Sequence, residues 1–307
     1  MGIACGVDIG SNSFRLLVAE VEHGRLRPLA QDLITVRLGE GLGKSGLLAP
    51  AALHRAEAAL ARFAGIMATY PLHRVRACAT HAVRTAANRD EFLQRAEVLA
   101  GFRIEVLSGE EEACLALLGV LSALSETQRR YPLSLVDVGG GSTEIIFQAT
   151  VGSEPRVMSL ALGAVGLTEE FGADLAAMRE KIRATLAPAL RSIGEAEMLG
   201  QDVLLVASGG TATALAALDL RLDRYDAQQV QNHPLSQAAL HRLVAGLAAL
   251  SPGDRNALSG LADGRGEIIV AGAVLLQELQ QALASRPVLV SDAGLLEGIL
   301  LSGAIGC

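Results

Sequence analysis

Two copies of one short phrase constrain the fold of this chain more than any other feature of its sequence. The first copy runs Val7-Asp8-Ile9-Gly10-Ser11-Asn12-Ser13, and the second runs Val136-Asp137-Val138-Gly139-Gly140-Gly141-Ser142. An apolar run follows each copy, so each predicts a strand, a tight turn and a returning strand. Turns without bulky side chains expose backbone N–H groups, and clustered N–H groups bind anions. Two such hairpins predict two half-domains that face one phosphate site.

Side chains in the two turns add to this prediction. Gly140 and Gly141 would let the backbone approach a phosphate oxygen. Hydroxyl and amide donors for phosphate would come from Ser11, Asn12, Ser13, Ser142 and Thr143. A single Asp-x-Gly turn is common in ordinary hairpins, so a purely structural repeat stays open as the alternative.

The charged residues beside the turns have two interpretations. Asp8 and Asp137 end the incoming strands, where each could hold a hydrated metal ion or could cap its own turn. Glu144 follows the second turn, and Arg15 occupies the corresponding place after the first. An acid in one copy and a base in the other suit a site that holds both metal and phosphate.

Composition excludes several classes of function. The length of 307 residues suggests two domains, and 3% aromatic residues without Trp argue against recognition of nucleic acid by base stacking. The net charge of −7 gives no general basic field, so an anionic substrate needs a local site. Cys5, Cys78 and Cys114 lie in apolar runs and are expected to be small core residues. The four cysteines lack zinc-site spacing, so a reduced cytoplasmic setting is expected. No targeting segment or membrane span is expected.

Predicted strands and helices alternate as in mixed-sheet α/β domains. Strands are predicted at residues 3–9, 14–21, 33–38, 74–79, 102–107, 133–138, 143–150, 156–162, 202–207 and 287–291. Helices are predicted at residues 50–70, 88–99, 108–124, 173–193, 212–218, 235–250, 267–284 and 294–301. The helix near residues 110–124 is expected to join the two halves as a hinge.

A third glycine turn, Ser208-Gly209-Gly210-Thr211, connects a predicted strand to a predicted helix. A helix start brings free N–H groups and the positive end of the helix dipole together, which predicts a further phosphate contact. A plain strand-to-helix connection explains the same residues equally well.

Three consecutive glutamates open the helix after Ser108. Ser108 and Glu111 match a capping box, and the helix dipole accounts for Glu110. Glu112 has no local structural role, so it could accept a proton from an attacking water, although exposed acids are common in first turns. Arg84, which follows a short strand, could clamp a phosphate with paired hydrogen bonds, although a solvated surface arginine is the commoner case.

Seven segments of the chain resemble the exopolyphosphatase / guanosine pentaphosphate phosphohydrolase (Ppx/GppA) family. They are GVDIGSNSFRLLVAE, THAVRTAANRDEFL, VLSGEEEACLALLGV, LVDVGGGSTEIIF, SLALGAVGLTEEF, ASGGTATALAAL and VSDAGLLEGIL. They occur in family order and span nearly the whole chain. The resemblance implies an actin-like ATPase fold, in which two ribonuclease-H-like domains face an interdomain phosphate-binding cleft. Domain I would hold residues 1–120 and the C-terminal helix 294–307, and domain II residues 121–293, as in the short form without a helical C-terminal domain.

The resemblance also implies roles for residues that match its motifs. Glu112 matches the glutamate that activates water, and Arg84 matches an arginine that contacts substrate phosphate. Asp137 and Glu144 match an acidic pair linked to divalent-metal binding and catalysis, and Asp8 is a further expected metal ligand. The expected phosphate-binding residues are Asp8, Gly10, Ser11, Asn12, Ser13, Arg15, Gly139, Gly140, Gly141, Ser142, Thr143, Gly209, Gly210 and Thr211.

Two places depart from the family pattern. Gly166 stands where a basic or polar residue is frequent, and Arg265-Gly266-Glu267 stands for a common Arg-Ala-Asp segment. Neither departure lies in the turns that define the chemistry, but both leave substrate preference open.

The prediction is a magnesium-dependent exopolyphosphatase, a phosphoanhydride hydrolase that releases terminal orthophosphate from inorganic polyphosphate by attack of water. Another divalent cation could replace magnesium. Hydrolysis of the 5′-terminal phosphate of guanosine pentaphosphate is the nearest alternative. An actin-like-fold kinase and a non-catalytic protein that binds polyphosphate or an alarmone are the others. Neither nucleic acid nor membrane is expected as a partner, and related proteins suggest a homodimer.

Overall fold

The computed structural model describes residues 2–150, 152–193, 202–283 and 286–302. The strands within these residues are β1 (Gly2–Ile9), β2 (Ser13–Glu22), β3 (Arg25–Thr35), β4 (Arg74–Ala79), β5 (Ile104–Val106), β6 (Leu133–Val138), β7 (Thr143–Gln148), β8 (Arg156–Leu160), β9 (Leu204–Ser208), β10 (Pro234–Leu235) and β11 (Val288–Val290). The helices are α1 (Leu42–Ser45), α2 (Pro50–Met67), α3 (His81–Thr85), α4 (Arg89–Ala100), α5 (Gly109–Ala123), α6 (Ala164–Phe171), α7 (Leu175–Ile193), α8 (Gly209–Asp219), α9 (Ala227–Val230), α10 (Gln237–Ala248), α11 (Pro252–Asn256), α12 (Ile269–Ala282) and α13 (Leu295–Leu301).

The chain divides into two compact units. Unit 1 comprises residues 1–122 and 294–307, and unit 2 comprises residues 123–293. The helix predicted from residue 294 corresponds to α13, and residues 303–307 lie outside the described residues.

The two units contain the same sheet topology. In unit 1 the strand order is β3-β2-β1-β4-β5, with an antiparallel β1–β2–β3 meander and β4 and β5 parallel to β1. In unit 2 the order β8-β7-β6-β9-β11 repeats that plan, and the short β10 adds an antiparallel edge. This topology is ribonuclease-H-like, and two such units in one chain form the actin-like ATPase fold. The predicted α/β fold class is therefore confirmed.

Amphipathic helices cover these sheets because their apolar faces need burial. In unit 1, α2 buries Leu53, Leu60, Phe63 and Met67. In unit 2, α12 is buried along nearly its whole length, including the polar residues Gln277, Glu278 and Gln280 in its second half.

The third strand differs from its prediction. The strand β3 begins at Arg25 rather than at residue 33, and residues 36–38 lie beyond its end. Its first half contains charged residues and Pro28, a composition typical of a loop. An edge strand tolerates proline, and Pro28 lies where the register with β2 shifts between Val18 and Ala19.

Two helix starts also differ from prediction. Asn88 and Glu91 resemble a helix cap in the sequence, but the Asn88 side chain forms no cap on α4. Its Oδ1 accepts from the backbone N–H of Leu48 at 2.9 Å, and its Nδ2 donates to the Leu48 carbonyl at 3.1 Å. The start of α8 lies at Gly209, so the third glycine turn belongs to the helix itself. The helix α6 was not predicted.

The cysteines divide into two kinds. Cys5 and Cys78 are buried, and burial raises the pKa of each thiol to about 12. Cys114 is exposed, so the expectation that it is a core residue was wrong. In the described part of the chain, no helix combines the length and the apolar character needed to cross a membrane.

Candidate active site

The two predicted turns have the same backbone structure. The Gly10 N–H donates to the Ser13 carbonyl at 3.2 Å, and the Gly139 N–H donates to the Ser142 carbonyl at 3.0 Å. A Cβ atom at either glycine would lie 2.9 Å from that same carbonyl oxygen. Glycine is therefore required at both positions, because the turn closes too tightly for a side chain.

In unit 1, the segment after β3 binds the carbonyl side of the first turn. The N–H groups of Val36 and Arg37 both donate to the Asn12 carbonyl, at 2.9 and 2.7 Å. The Gly39 N–H donates to the Ser11 carbonyl at 2.8 Å. These bonds occupy carbonyl oxygens that would otherwise repel an anion at the turn.

In unit 2, the segment after β8 has the equivalent role. The N–H groups of Ala164 and Val165, at the start of α6, donate to the carbonyls of Gly139 and Gly140, at 3.1 and 2.8 Å. Gly163 lies so close to the Gly140 carbonyl that a Cβ atom has no room there. Both turns are thus supported by the chain that follows the third strand of their sheet.

Asp8 and Arg15 form an ion pair beside the first turn. They are direct partners in the β1–β2 register, and Nε and Nη2 of Arg15 donate to Asp8 Oδ2 at 3.0 and 2.8 Å. The second carboxylate oxygen, Asp8 Oδ1, is buried without a hydrogen-bond partner in the described structure, as are Ser11 Oγ and Asn12 Oδ1. Unpartnered buried polar atoms cost free energy, so three in one turn mark it as a place where a ligand or water binds.

Asp137 and Glu144 form an acidic pair beside the second turn. They are direct partners in the β6–β7 register, so their side chains lie on one face of the sheet. Ser208 Oγ donates to Asp137 Oδ2 at 2.9 Å, and Ser159 Oγ donates to Glu144 Oε1 at 2.7 Å. Glu144 is only 2% exposed.

The third glycine turn lies against this acidic pair. Asp137 Oδ1 is so close to Gly209, which has a φ of +83°, that a side chain at residue 209 has no room. The Arg265 guanidinium covers Gly210 in the same way. A carboxylate near a helix N-terminus interacts favourably with the helix dipole, so the start of α8 stabilises ionised Asp137.

Two predicted phosphate-binding side chains have other partners. The Thr143 hydroxyl is fully buried and donates its proton to the Leu162 carbonyl at 2.6 Å. The Thr211 side chain is buried against Gly272 of α12. The expectation that Thr143 adds a side-chain donor for phosphate is therefore corrected, because its single proton is already used.

Arg84 and Glu112 lie together in unit 1. Arg84 Nη1 donates to Glu112 Oε2 at 2.9 Å and to the Leu107 carbonyl at 2.8 Å. The capping box at the start of α5 is confirmed, since Ser108 and Glu111 exchange backbone-to-side-chain bonds of 2.7 and 3.1 Å. Glu112, the residue left without a structural role by the sequence, is 9% exposed, whereas its neighbours Glu110 and Glu111 are exposed.

His81, which precedes Arg84 on α3, is uncharged at neutral pH. Burial and, second, the positive charge of Arg84 lower the pKa of His81 from 6.5 to about 4. Arg84 is therefore the cation that α3 contributes near Glu112.

A close helix crossing positions α5. Gly119 of α5 contacts the Gly294 carbonyl, and Gly298 of α13 contacts the Leu115 carbonyl, with no room for a Cβ atom at either glycine. The C-terminal helix therefore sets where α5 lies, and with it the position of Glu112.

A divalent cation fits the chemistry of the acidic pair. No group of three or more His, Cys, Asp or Glu side chains in the described ranges is placed to hold a metal ion. Magnesium does not need such a group, because it is often bound by one or two carboxylates together with water and substrate phosphates. Asp137 and Glu144 supply two carboxylates on one face of the sheet, and each accepts a hydrogen bond from a serine.

Sequence reasoning missed Ser159 and Ser208 as partners of the acidic pair, and it noted Arg265 only within a departure from a family pattern. The signal for the serines lies in strand order, since β8 and β9 bring them beside β7 and β6. Arg265 follows a loop and carries no local signal for its contact with Gly210.

A family model and several known proteins match the sequence of this chain. The model of the Ppx/GppA phosphatase family matches residues 17–304. Exopolyphosphatase 2 of Mycobacterium tuberculosis is 33% identical over 96% of this chain and 97% of its own length. Guanosine-5′-triphosphate,3′-diphosphate pyrophosphatase of Vibrio vulnificus is 32% identical over 95% of this chain and 57% of its own length.

A solved structure extends the likeness to three dimensions. The crystal structure of the Aquifex aeolicus member of the Ppx/GppA family is 28% identical, covers 99% of this chain and 98% of its own, and superposes with a TM-score of 0.79. The matched turns, the Arg84–Glu112 pair and the acidic pair are thus found in a chain that belongs to the Ppx/GppA phosphatase family.

Proposed function

We propose that this chain is an exopolyphosphatase, a phosphoanhydride hydrolase that releases the terminal phosphate of inorganic polyphosphate as orthophosphate. The observation that carries the proposal is the buried Glu112 carboxylate, bound by Arg84 at 2.9 Å. This pair joins a proton acceptor to a phosphate-binding cation. Membership of the family, and the name of the M. tuberculosis relative, support polyphosphate as the substrate.

Phosphate binding is assigned to the glycine turns. Because the protein's own N–H groups bind carbonyl oxygens in both turns, the repulsion between these oxygens and a phosphate is reduced. In the first turn, the Ser11 hydroxyl can donate to a phosphate oxygen, and this bond would satisfy a buried group that has no partner in the described structure.

The chemical step is attack of water on the terminal phosphorus, with cleavage of the P–O bond to the next phosphate. Glu112 accepts the proton of the attacking water. Arg84 binds the terminal phosphate and holds Glu112, since its Nη1 bonds both the Glu112 carboxylate and the Leu107 carbonyl.

Asp137 and Glu144 are the residues that would hold magnesium or another divalent cation. When bound, the cation offsets negative charge on the transferred phosphoryl group. Ser208 donates a hydrogen bond to Asp137 and thereby orients it beside the start of α8. Asp8 stays a further candidate ligand: its Oδ2 pairs with Arg15, and its Oδ1 has no hydrogen-bond partner in the described structure.

The experiment is a comparison of orthophosphate release from short polyphosphate, long polyphosphate and guanosine pentaphosphate, with magnesium varied and no nucleotide acceptor present. Faster release from polyphosphate supports the proposal, and reaction in oxygen-18 water should place one labelled atom in each orthophosphate. Faster release from guanosine pentaphosphate would favour the activity named for the V. vulnificus relative. A requirement for ATP and an acceptor would indicate a kinase. Tight binding without release under any metal would indicate a binding protein.

A further inference from the structure

Four polar side chains form a row across the sheet of unit 2, one from each of four adjacent strands. The strand register places Ser159 opposite Glu144, Glu144 opposite Asp137, and Asp137 opposite Ser208. Residues directly opposite each other on adjacent strands lie on the same face of a sheet. The acidic pair therefore has a serine on either side.

Both serines donate hydrogen bonds to the acids. Ser159 Oγ lies 2.7 Å from Glu144 Oε1, and Ser208 Oγ lies 2.9 Å from Asp137 Oδ2. A hydroxyl carries one proton, so each serine acts on its carboxylate as a donor and fixes the orientation of that carboxylate. Gly209 approaches the other oxygen of Asp137, which fixes this carboxylate from two sides.

The equivalent row in unit 1 lacks these hydroxyls. Strand register there places Leu33 opposite Arg15, Arg15 opposite Asp8, and Asp8 opposite Cys78. Leu33 stands at the place of Ser159, and Cys78 at the place of Ser208. Arg15 itself orients Asp8 by two hydrogen bonds. Both units share the sheet topology, but only unit 2 has the acidic pair. The serines therefore occur with the acidic pair and are not a general feature of the topology.

We propose that Ser208 and Ser159 are positioning residues that orient Asp137 and Glu144 for a divalent cation. The inference rests on the proposed function, because it takes the acidic pair as the cation site. Carboxylates that bind metal are in turn hydrogen bonded, and loss of such a supporting partner typically weakens metal affinity about 10- to 100-fold.

The test is Mn²⁺ binding to the full chain without substrate, measured from the electron paramagnetic resonance signal of free Mn²⁺. Ser208→Ala and Ser159→Ala are each expected to weaken binding by at least about 10-fold. Ser208→Cys places in unit 2 the residue that unit 1 has at this position, and it leaves no cavity while replacing the hydroxyl by a larger group that is a weaker donor. It is expected to weaken binding in the same direction.

Ser134→Ala is the matched control. Ser134 is buried in β6, three residues before Asp137, on the other face of the sheet, and its hydroxyl has no partner in the described structure. The Mn²⁺ affinity of the Ser134→Ala variant is expected to equal that of the wild type. Thermal unfolding of every variant checks that the fold is kept.

Activity gives a second readout that a purely structural role would not produce. The magnesium concentration for half-maximal phosphate release should rise in Ser208→Ala and Ser159→Ala, while the rate at saturating magnesium stays within about threefold of wild type, since a supporting hydroxyl acts on affinity.

The outcomes separate the two proposals. Wild-type Mn²⁺ affinity in both Ser208→Ala and Ser159→Ala would overturn the positioning role and leave the cation site intact. A folded wild-type protein that binds no Mn²⁺ would overturn the cation site itself, and the positioning role with it. Equal weakening in Ser134→Ala would show a general effect of packing and would also overturn the inference.

Discussion

In unit 1 the aspartate at the end of the first strand lies opposite an arginine, whereas in unit 2 the equivalent aspartate lies opposite a glutamate. The backbones around them are alike, since both turns close with a glycine N–H to a serine carbonyl three residues on. Asp8 pairs with a cation on the neighbouring strand, whereas Asp137 and Glu144 bring two acidic side chains together. This difference is the reason why we propose the acidic pair of the second turn, and not the first turn, as the cation site.

The largest effect predicted from this difference between the two turns is the loss of activity on substitution of Glu144. Glu144→Gln should lower the rate of phosphate release at least about 100-fold at ordinary magnesium, because a bound metal is worth several kcal/mol to the transition state and each 1.36 kcal/mol is tenfold. The rate should be measured across a magnesium series.

Asp8→Asn is the comparison within unit 1. It removes the equivalent carboxylate, and its magnesium dependence should stay close to wild type whatever its effect on substrate binding. A magnesium requirement that shifts equally in both variants would mean that the two turns do not differ in cation binding.

Arg15→Ala should destabilise unit 1. It leaves the Asp8 carboxylate, 5% exposed, without the cation that pairs with it, and breaking a buried ion pair in this way costs about 3 kcal/mol. Denaturant unfolding measures the loss. The double variant Asp8→Asn/Arg15→Ala should recover a large part of it, and no recovery would show that Arg15 stabilises the fold through other contacts.

The likeness of the two backbones predicts equal costs for equivalent glycines. Gly10→Ala and Gly139→Ala would each bring a Cβ atom to 2.9 Å from the carbonyl of the serine that closes the turn. Each should lower the free energy of unfolding by about 1–3 kcal/mol, the usual cost of overpacking. If the free energy of unfolding fell in only one of the two variants, the two turns would not be structurally equivalent.

The smallest predicted effect concerns the support of the first turn. Arg55 of α2 donates to the Val36 carbonyl at 2.6 Å and to Glu40 at 2.6 Å, so it holds the segment that binds the turn's carbonyls. Arg55→Ala should raise KM for polyphosphate about two- to tenfold, the equivalent of roughly one hydrogen bond.

Arg62→Ala is the matched control for Arg55. Arg62 lies on the same helix and makes two bonds to Asp32 of β3, at 2.6 and 3.0 Å, away from the segment after β3. Its KM should equal that of wild type. The same rise in KM in both variants would show that general stability of α2, and not support of the turn, is responsible.

The repeated features of the fold could be predicted from sequence because their signals are local. A carboxylate, a glycine turn and an apolar run specify both hairpins, and the capping box at Ser108 specifies the start of α5. The first half of β3 could not be predicted, because charges and Pro28 are also typical of loops and only its place at a sheet edge makes them acceptable.

The candidate site depends more on contacts that sequence does not encode locally. Arg84 and Glu112 are 28 residues apart and are brought together by the ends of β4 and β5. The serines beside the acidic pair depend on strand order, and the direction of the Thr143 hydroxyl depends on the return of the chain after β8. The types of residue indicated the kind of chemistry. The hydrogen-bond partners on neighbouring strands could be identified only from the folded structure.

Orthophosphate release from polyphosphate by Glu112→Gln, measured beside Glu110→Gln, is the decisive experiment for the mechanism. Both residues lie in the first turn of α5, but Glu112 is buried against Arg84 and Glu110 is exposed. We expect Glu112→Gln to lose about 10²- to 10⁴-fold in kcat with little change in KM, as for loss of a positioned base, and Glu110→Gln to keep the wild-type rate. A folded Glu112→Gln variant with a wild-type kcat would contradict the assignment of Glu112 as the base.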